Sequence, residues 1–381
     1  MALVIAHLSD THVSRFGEHV TSLRGRRLRT PLGKPDGEWE PVDEVEGWRV
    51  ERRARRGLRS RDPSNGYSYR LLDESGYVQE KRKADRDGDA AARAGLAELV
   101  RRRKSTESSR LAESFPSEQA VEARLEIDPA NTNLLFHRAA RTLRDDAPDW
   151  VVLSGDVTDD GVGYELVASW LGPWVEKRRL LAIPGNHDVY DSPSLVVPAP
   201  DRKDRHRKRV LWGAFALDLG LPTATPWVRE LGEGAVMCGL DSCIPPRTPF
   251  SASGEVSAEA LWALEADLER FPPGTCRLAM LHHHVVNPPL RGVGRAPWQI
   301  GMRLRNAEGV FEFLARNGFA CIFNGHRHVG YRYHPAHAPL FVSAPSATMG
   351  CRSGAQPFYW RVEIEKGQVV SVRERPFPAT R

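Results

Sequence analysis

Five short stretches of this 381-residue chain concentrate side chains that bind divalent metals. They are Asp10-Thr11-His12; Gly155-Asp156, with Asp159 and Asp160 close behind; Gly185-Asn186-His187-Asp188; His282-His283-His284; and Gly325-His326-Arg327-His328. The donors are carboxylate, imidazole and amide, with no thiolate. Such a set suits Mn, Fe, Zn or a similar divalent ion at a reactive site, and not a structural zinc cage. It is too large for one catalytic ion that keeps an open position, and about right for two ions sharing a bridging carboxylate. A pair of ions ~3.5–4 Å apart activates a water and clamps phosphoryl oxygens during in-line displacement.

Each stretch follows a short apolar run that reads as a buried strand: 2–9, 150–154, 180–184, 277–281 and 320–324, with a similar run at 235–242. Residues two apart on an extended backbone point the same way, so Asp10 and His12 are placed to share an ion. Helical patterns at 131–146, 164–177, 257–271 and 306–318 lie between these runs. Strands alternating with helices make an α/β protein, whose ligand sites collect beyond the carboxyl ends of the strands. The tail, 358–377, alternates about Lys366-Gly367 and reads as a hairpin.

Taken singly, these motifs are common turn and cap sequences; their joint occurrence, in this order and each after a strand, carries the reading. The set D-x-H, G-D-x-x-D, G-N-H-D, H-H and G-H-x-H resembles the signature of the calcineurin-like metallophosphoesterases. The likeness is greatest to the bacterial branch called class III cyclic-nucleotide phosphodiesterases. It covers residues 1–16 and about 129–381 and extends to "GLDS" and "MRLRNAEGVFEFLARNGFACIFNGHRH". The resemblance implies a four-layer αββα sandwich of two mixed sheets flanked by helices. It implies two divalent ions, one on Asp10, His12, Asp156 and His328, the other on Asp156, Asn186, a histidine of 282–284 and His326. The family usually has two histidines before a proline, whereas this chain has three before Val285; His283 is the expected ligand, with His282 next. His187 matches the family's catalytic histidine, which contacts a phosphoryl oxygen or assists the leaving group, and Asp159 and Asp188 would orient the ligands.

Residues 17–128 break the rhythm of strand and helix. They follow the first strand and precede the second, so they read as an insertion into the main domain. Within them, 67–82 suggests a hairpin about Glu74-Ser75-Gly76, and 89–104 a helix with a basic end. The insertion is expected to act as a cap or accessory subdomain, with Arg52, Arg53, Arg55, Arg56, Tyr67 and Tyr69 near the substrate. Arg303 and Arg305 are weaker candidates for phosphate contact.

The net charge is +5, and residues 22–125 hold 24 Lys and Arg against 19 Asp and Glu, so the whole excess lies in that segment. Both signs are dense there, which reads as solvated surface. No apolar run approaches the ~18–20 residues of a membrane span. The first residues lack a basic n-region and read as a strand, not a signal peptide. The five cysteines are scattered with no CxxC pair, which fits a reducing cytoplasm. The expected activity is phosphodiester hydrolysis of a small-molecule, nucleotide or lipid substrate. The alternatives are a metal-dependent nuclease that uses the arginines to bind nucleic acid, and a non-catalytic scaffold, which the complete ligand set disfavours.

Overall fold

A computed structural model describes residues 2–14, 17, 33–35, 38–45, 48–57, 67–72, 78–84, 90, 93–94, 117–127, 129–190, 202–246, 251–286, 302–350 and 356–378. The chain divides into two compact units, Met1–His19 with Ser114–Arg381, and Val20–Glu113. The second unit begins and ends inside the 17–128 segment; of the described residues there, 117–127 belong to the first.

In the first unit, β1 (Leu3–Leu8) is buried on both faces, as an apolar run must be when covered from two sides. The second unit carries β2 (Gly33–Pro35), β3 (Glu40–Val45), β4 (Trp48–Gly57), β5 (Tyr67–Leu72) and β6 (Val78–Ala84). They form a sheet of order β2-β4-β5-β6, with β3 also on β4, and every pairing is antiparallel. β4 is rich in arginine and was not legible as a strand; it pairs because Trp48 and Val50 alternate inward while Arg49 is exposed. The turn expected at Glu74-Ser75-Gly76, and nearly all of the helix expected at 89–104, lie outside the described residues.

The first unit resumes with α1 (Glu118–Ile127) and α2 (Thr132–Asp146), then β7 (Trp150–Leu153). The helical pattern at 164–177 becomes two helices, α3 (Tyr164–Trp170) and α4 (Gly172–Glu176). The break falls at Leu171, because Pro173 has no N–H for a continuing helix and suits a first turn. β8 (Leu180–Ala182), the one-turn α5 (Asn186–Val189), α6 (Arg202–Asp218), β9 (Trp227–Gly232) and β10 (Ala235–Gly239) follow. Then come α7 (Ala258–Leu268), β11 (Cys276–Met280), α8 (Ala307–Arg316), β12 (Phe319–Asn324), β13 (Tyr331–Tyr333), β14 (Leu340–Ser343), β15 (Phe358–Glu365) and β16 (Gln368–Pro376).

Two mixed sheets result. One has the order β16-β15-β1-β7-β8, with β1, β7 and β8 parallel. The other has the order β13-β14-β12-β11-β10-β9, with the four central strands parallel. Their inner faces share one apolar core. Indole N–H groups cross between them, from Trp150 to the Leu231 carbonyl at 3.0 Å and from Trp360 to that of Ser343 at 2.7 Å. Helices flank the sheets, giving the expected α/β sandwich; α7 packs on β9 and α8 on β12. No described helix is long and apolar enough to cross a membrane. Cys238, Cys243, Cys276 and Cys321 are buried free thiols.

The chain leaves this unit after β1 and returns ahead of α1, and the segment after β1 is laced to the start of α2. Thr132 Oγ1 donates to the His12 carbonyl at 2.8 Å, and its amide donates to Gly17 at 2.8 Å. Asn133 accepts from the Ser14 amide at 2.9 Å and donates to the Ser14 carbonyl at 2.7 Å, like a strand partner made of one side chain. Asn131 caps the helix by accepting from the Asn133 and Leu134 amides. Replacing Asn133 with Ala removes its bonds to the amide and the carbonyl of Ser14, and is expected to cost about 1–3 kcal/mol. The midpoint of urea unfolding measures it; an unchanged midpoint would show that the lacing contributes nothing.

Candidate metal centre

All five motif stretches follow the C-terminal ends of their strands: β1 and β7 directly, β8 through Pro184, and β11 and β12 in the facing sheet. The backbone then turns sharply. Asp10, His12, Asp156, His326 and His328 all have positive φ, from 47° to 70°, where residues with a Cβ are uncommon. Each such residue costs of order 1–3 kcal/mol and persists only where its surroundings hold it. Here the Asp10 amide donates to Gly155 and the His12 amide to Asp156, both at 3.0 Å, while the His326 amide donates to the Asp10 carboxylate at 2.9 Å. The turns fold the side chains back over the strand ends toward a common centre.

Three groups of donors form there: Asp10, His12 and His328; His12, Asp156 and His187; Asp156, His282 and His326. His12 Nε2 and His328 Nε2 face each other at 3.1 Å, and His282 Nε2 and His326 Nδ1 do the same. Nitrogens that face one another share at most one proton. Ligands bound cis to one ion at about 2.1 Å stand roughly 3 Å apart, so these spacings fit metal coordination. Asn186 Oδ1 lies 3.1 Å from His282 Nε2, and Asp156 Oδ2 lies 3.3 Å from it. The far ring nitrogens are tied back. His282 Nδ1 donates to the Ser154 carbonyl at 2.9 Å, and His12 Nδ1 lies 3.2 Å from Asp159, which leaves Nε2 of each ring for the centre.

His283, the expected ligand, is turned away from the cluster. Its Nδ1 bonds Ser242 Oγ at 2.8 Å and its Nε2 the Ala252 carbonyl at 2.9 Å, so both nitrogens are engaged away from Asp156. Successive side chains at the end of β11 alternate, and the amide of Gly325 donates to the His282 carbonyl at 3.1 Å, which sets His282 beside His326. His284 points to the Gly325 carbonyl, Ser343 and Tyr331. Only His282 of the triplet joins a donor group.

Asp159 reaches His187 Nδ1 at 2.6 Å as well as His12, so one carboxylate orients two imidazoles. Asp188 accepts from the amides of Val157, Thr158 and Gly185 and from the hydroxyls of Thr158 and Tyr164, at 2.8–3.2 Å. It thereby ties the loops after β7 and β8 together. Ser346, Ser154 and Tyr164 were not legible as parts of this support, because isolated hydroxyl residues carry no spacing signal. Ser346 Oγ donates to the Asp10 carbonyl at 2.7 Å. The ligand-bearing groups are almost wholly enclosed, whereas the side chains of His187 and His328 retain 11% and 13% exposure.

Arg303 and Arg305 are exposed, and Arg305 stands 4.0 Å from Glu255. In the second unit Arg52 pairs with Glu40 at 3.3 Å, Arg53 lies over Trp39, and Tyr69 is buried. The side chains of Arg55, Arg56 and Tyr67 are outside the described residues.

Electrostatics bind the cluster even before a cation arrives. Burial pushes the Asp10 carboxyl up, but His328 and His282 outweigh it and hold the pKa down at about 2. Burial is likewise outweighed at Asp156, which His282, His187 and His12 hold well below the usual range. Burial works against a charge on His282, yet Asp156 and Asp10 push its pKa up to about 9. His326 goes the other way, lowered by burial and by its imidazole neighbours, so it is a neutral donor.

The chain belongs to the calcineurin-like phosphoesterase family, whose sequence model matches residues 129–330. The family is binuclear and metal-dependent, and the donor groups above could hold metal ions. No curated protein matches the chain. Among solved structures it is similar to a dimetal phosphatase from Danio rerio, with 14% identity over 65% of this chain and 87% of that one, TM-score 0.44. It is also similar to the purple acid phosphatase PPD1 from yellow lupin seeds, with 10% identity over 61% and 45% of the two chains, TM-score 0.43.

Two outcomes are expected. Since His282 holds a proton at pH 7, loading the metal-free protein with Mn²⁺ should release about one proton or more, and affinity should rise with pH toward 9. Calorimetry in buffers of different ionisation enthalpy measures this, and buffer-independent heats would contradict it. A methyl group at Gly185 would overlap the Asp156 amide and carboxylate. Gly185→Ala should therefore lower the bound metal by about half or more at unchanged helix content; elemental analysis of the dialysed protein decides.

Proposed function

We propose that this chain is a two-metal phosphodiesterase, acting on a small-molecule, nucleotide or lipid phosphodiester, as its likeness to the class III branch suggests. The observation that carries the reading is Asp156, the one carboxylate common to donor groups on both sides of the cluster. Asp10, His12, Asp156 and His328 would hold one ion, and Asp156, Asn186, His282 and His326 the other. When bound, such ions neutralise phosphoryl oxygens and make a coordinated water acidic enough to ionise near neutral pH.

The protein's own groups do the positioning. Asp156 sets the spacing of the two halves. Asp159 fixes the rings of His12 and His187, whose edges meet with centroids 5.0 Å apart. With Nδ1–H given to the Asp159 carboxylate, His187 turns Nε2 to the exposed side of the cluster; with both nitrogens protonated, the ring would donate from Nε2 to a phosphoryl oxygen, or to the leaving oxygen as the ester bond breaks.

Hydrolysis of bis(p-nitrophenyl) phosphate tests the reading. Asp156→Ala should lose about 10³-fold or more in kcat, and chelation should abolish activity that added Mn²⁺ restores. His187→Ala should lose about 10²–10⁴-fold in kcat while keeping its metal. His282→Ala should lose metal, whereas His283→Ala should keep most of it. An Asp156→Ala protein as active as the parent would refute the proposal. Cleavage of oligonucleotides in preference to small diesters, with strongly salt-dependent binding, would instead make it a nuclease.

A further inference from the structure

Lys208, on α6, is fully buried, an unusual place for an ammonium group. Its Nζ donates to the carbonyl oxygen of His187 at 2.8 Å and to that of Asp159 at 3.1 Å. These two residues are joined again through their side chains, by the 2.6 Å contact between His187 Nδ1 and the Asp159 carboxylate. The four groups close a ring: ammonium, His187 backbone, imidazole to carboxylate, Asp159 backbone. The stem of Lys208 runs beside the loop after Asp159, where a methyl on Gly161 would come 3.3 Å from its Cγ. The next residue, Arg209, holds the loop after β10 through Asp241 and the Cys243 carbonyl. Adjacent residues of α6 thus grip three segments, those after β7, β8 and β10.

A charged donor makes stronger bonds to carbonyl oxygens than a neutral one, and a four-carbon stem lets it reach both from the far side of the loops. Desolvating it is costly, and that cost is out of proportion to merely filling space, which a methionine would do. We propose that Lys208 is a positioning residue: it clamps the His187 and Asp159 backbones so that the His187 imidazole stays aimed at the leaving oxygen. This rests on the proposed role of His187 in phosphodiester hydrolysis.

The test is a double-mutant cycle of Lys208→Met with His187→Ala, assayed on two diesters, one with a p-nitrophenolate and one with an alkoxide leaving group. In the His187 background Lys208→Met should lower kcat by about 10–100-fold with KM within about twofold and metal content unchanged. The loss should be larger for the alkoxide, which needs a proton more. In the His187→Ala background the same substitution should change kcat by less than about twofold. An equal loss in both backgrounds, or an equal loss on both substrates, would overturn the proposal. If Lys208→Met does not fold, Lys208→Gln, which keeps a donor without the charge, takes its place in the cycle with the same criteria. Wild-type protein inactive on both diesters would refute the phosphodiesterase reading itself, a result separate from additivity in the cycle.

Discussion

Two carboxylates, Asp10 and Asp156, are buried at the meeting edge of two sheets, and the rest of the structure answers to that. An ionised carboxyl in such a place is costly unless donors and opposite charge surround it. Here the surroundings are imidazoles, which balance the charge while protonated and become ligands when they are not. The same enclosure that makes the carboxylates expensive strengthens every attraction inside it.

Holding such a centre requires the backbone to do what it otherwise avoids. Five of its residues adopt left-handed turns, and Gly185 and Gly325 sit where any side chain would collide with Asp156 or with Ser9 and Asp10. These conformations survive because second contacts over-determine them. Asp188 gathers five donors from three segments, Ser346 and Ser154 brace the backbone on either side, and Asn133 replaces a strand partner for Ser14. Strand cores supply rigidity, and the polar layer above them converts it into aim.

The insertion after β1 shows why rigidity must be local. About a hundred residues leave and return within a few positions of His12, a ligand candidate. Closing a long loop costs little more than closing a short one. What matters is that exit and entry are fixed to each other, and the contacts of Thr132 and Asn133 do that.

Strand ends and metal donors were legible because both are written in short, contiguous signals: apolar runs followed by Asp, Asn and His at fixed spacing. Those signals determined the α/β class and set out, in order, the candidate donors on which the two-metal reading rests. They could not choose among three adjacent histidines, since the choice depends on which ring faces Asn186 and which meets Ser242 and Ala252. Nor could they separate Lys208 from the other basic residues of "RKDRHRKR", because a helix gives neighbouring side chains different surroundings that composition does not record. The Pro173 break, the arginine-rich β4 and the polar supports likewise rest on partners distant in sequence. Local chemistry named the donors; only the packing of two sheets decided which atoms face the same point.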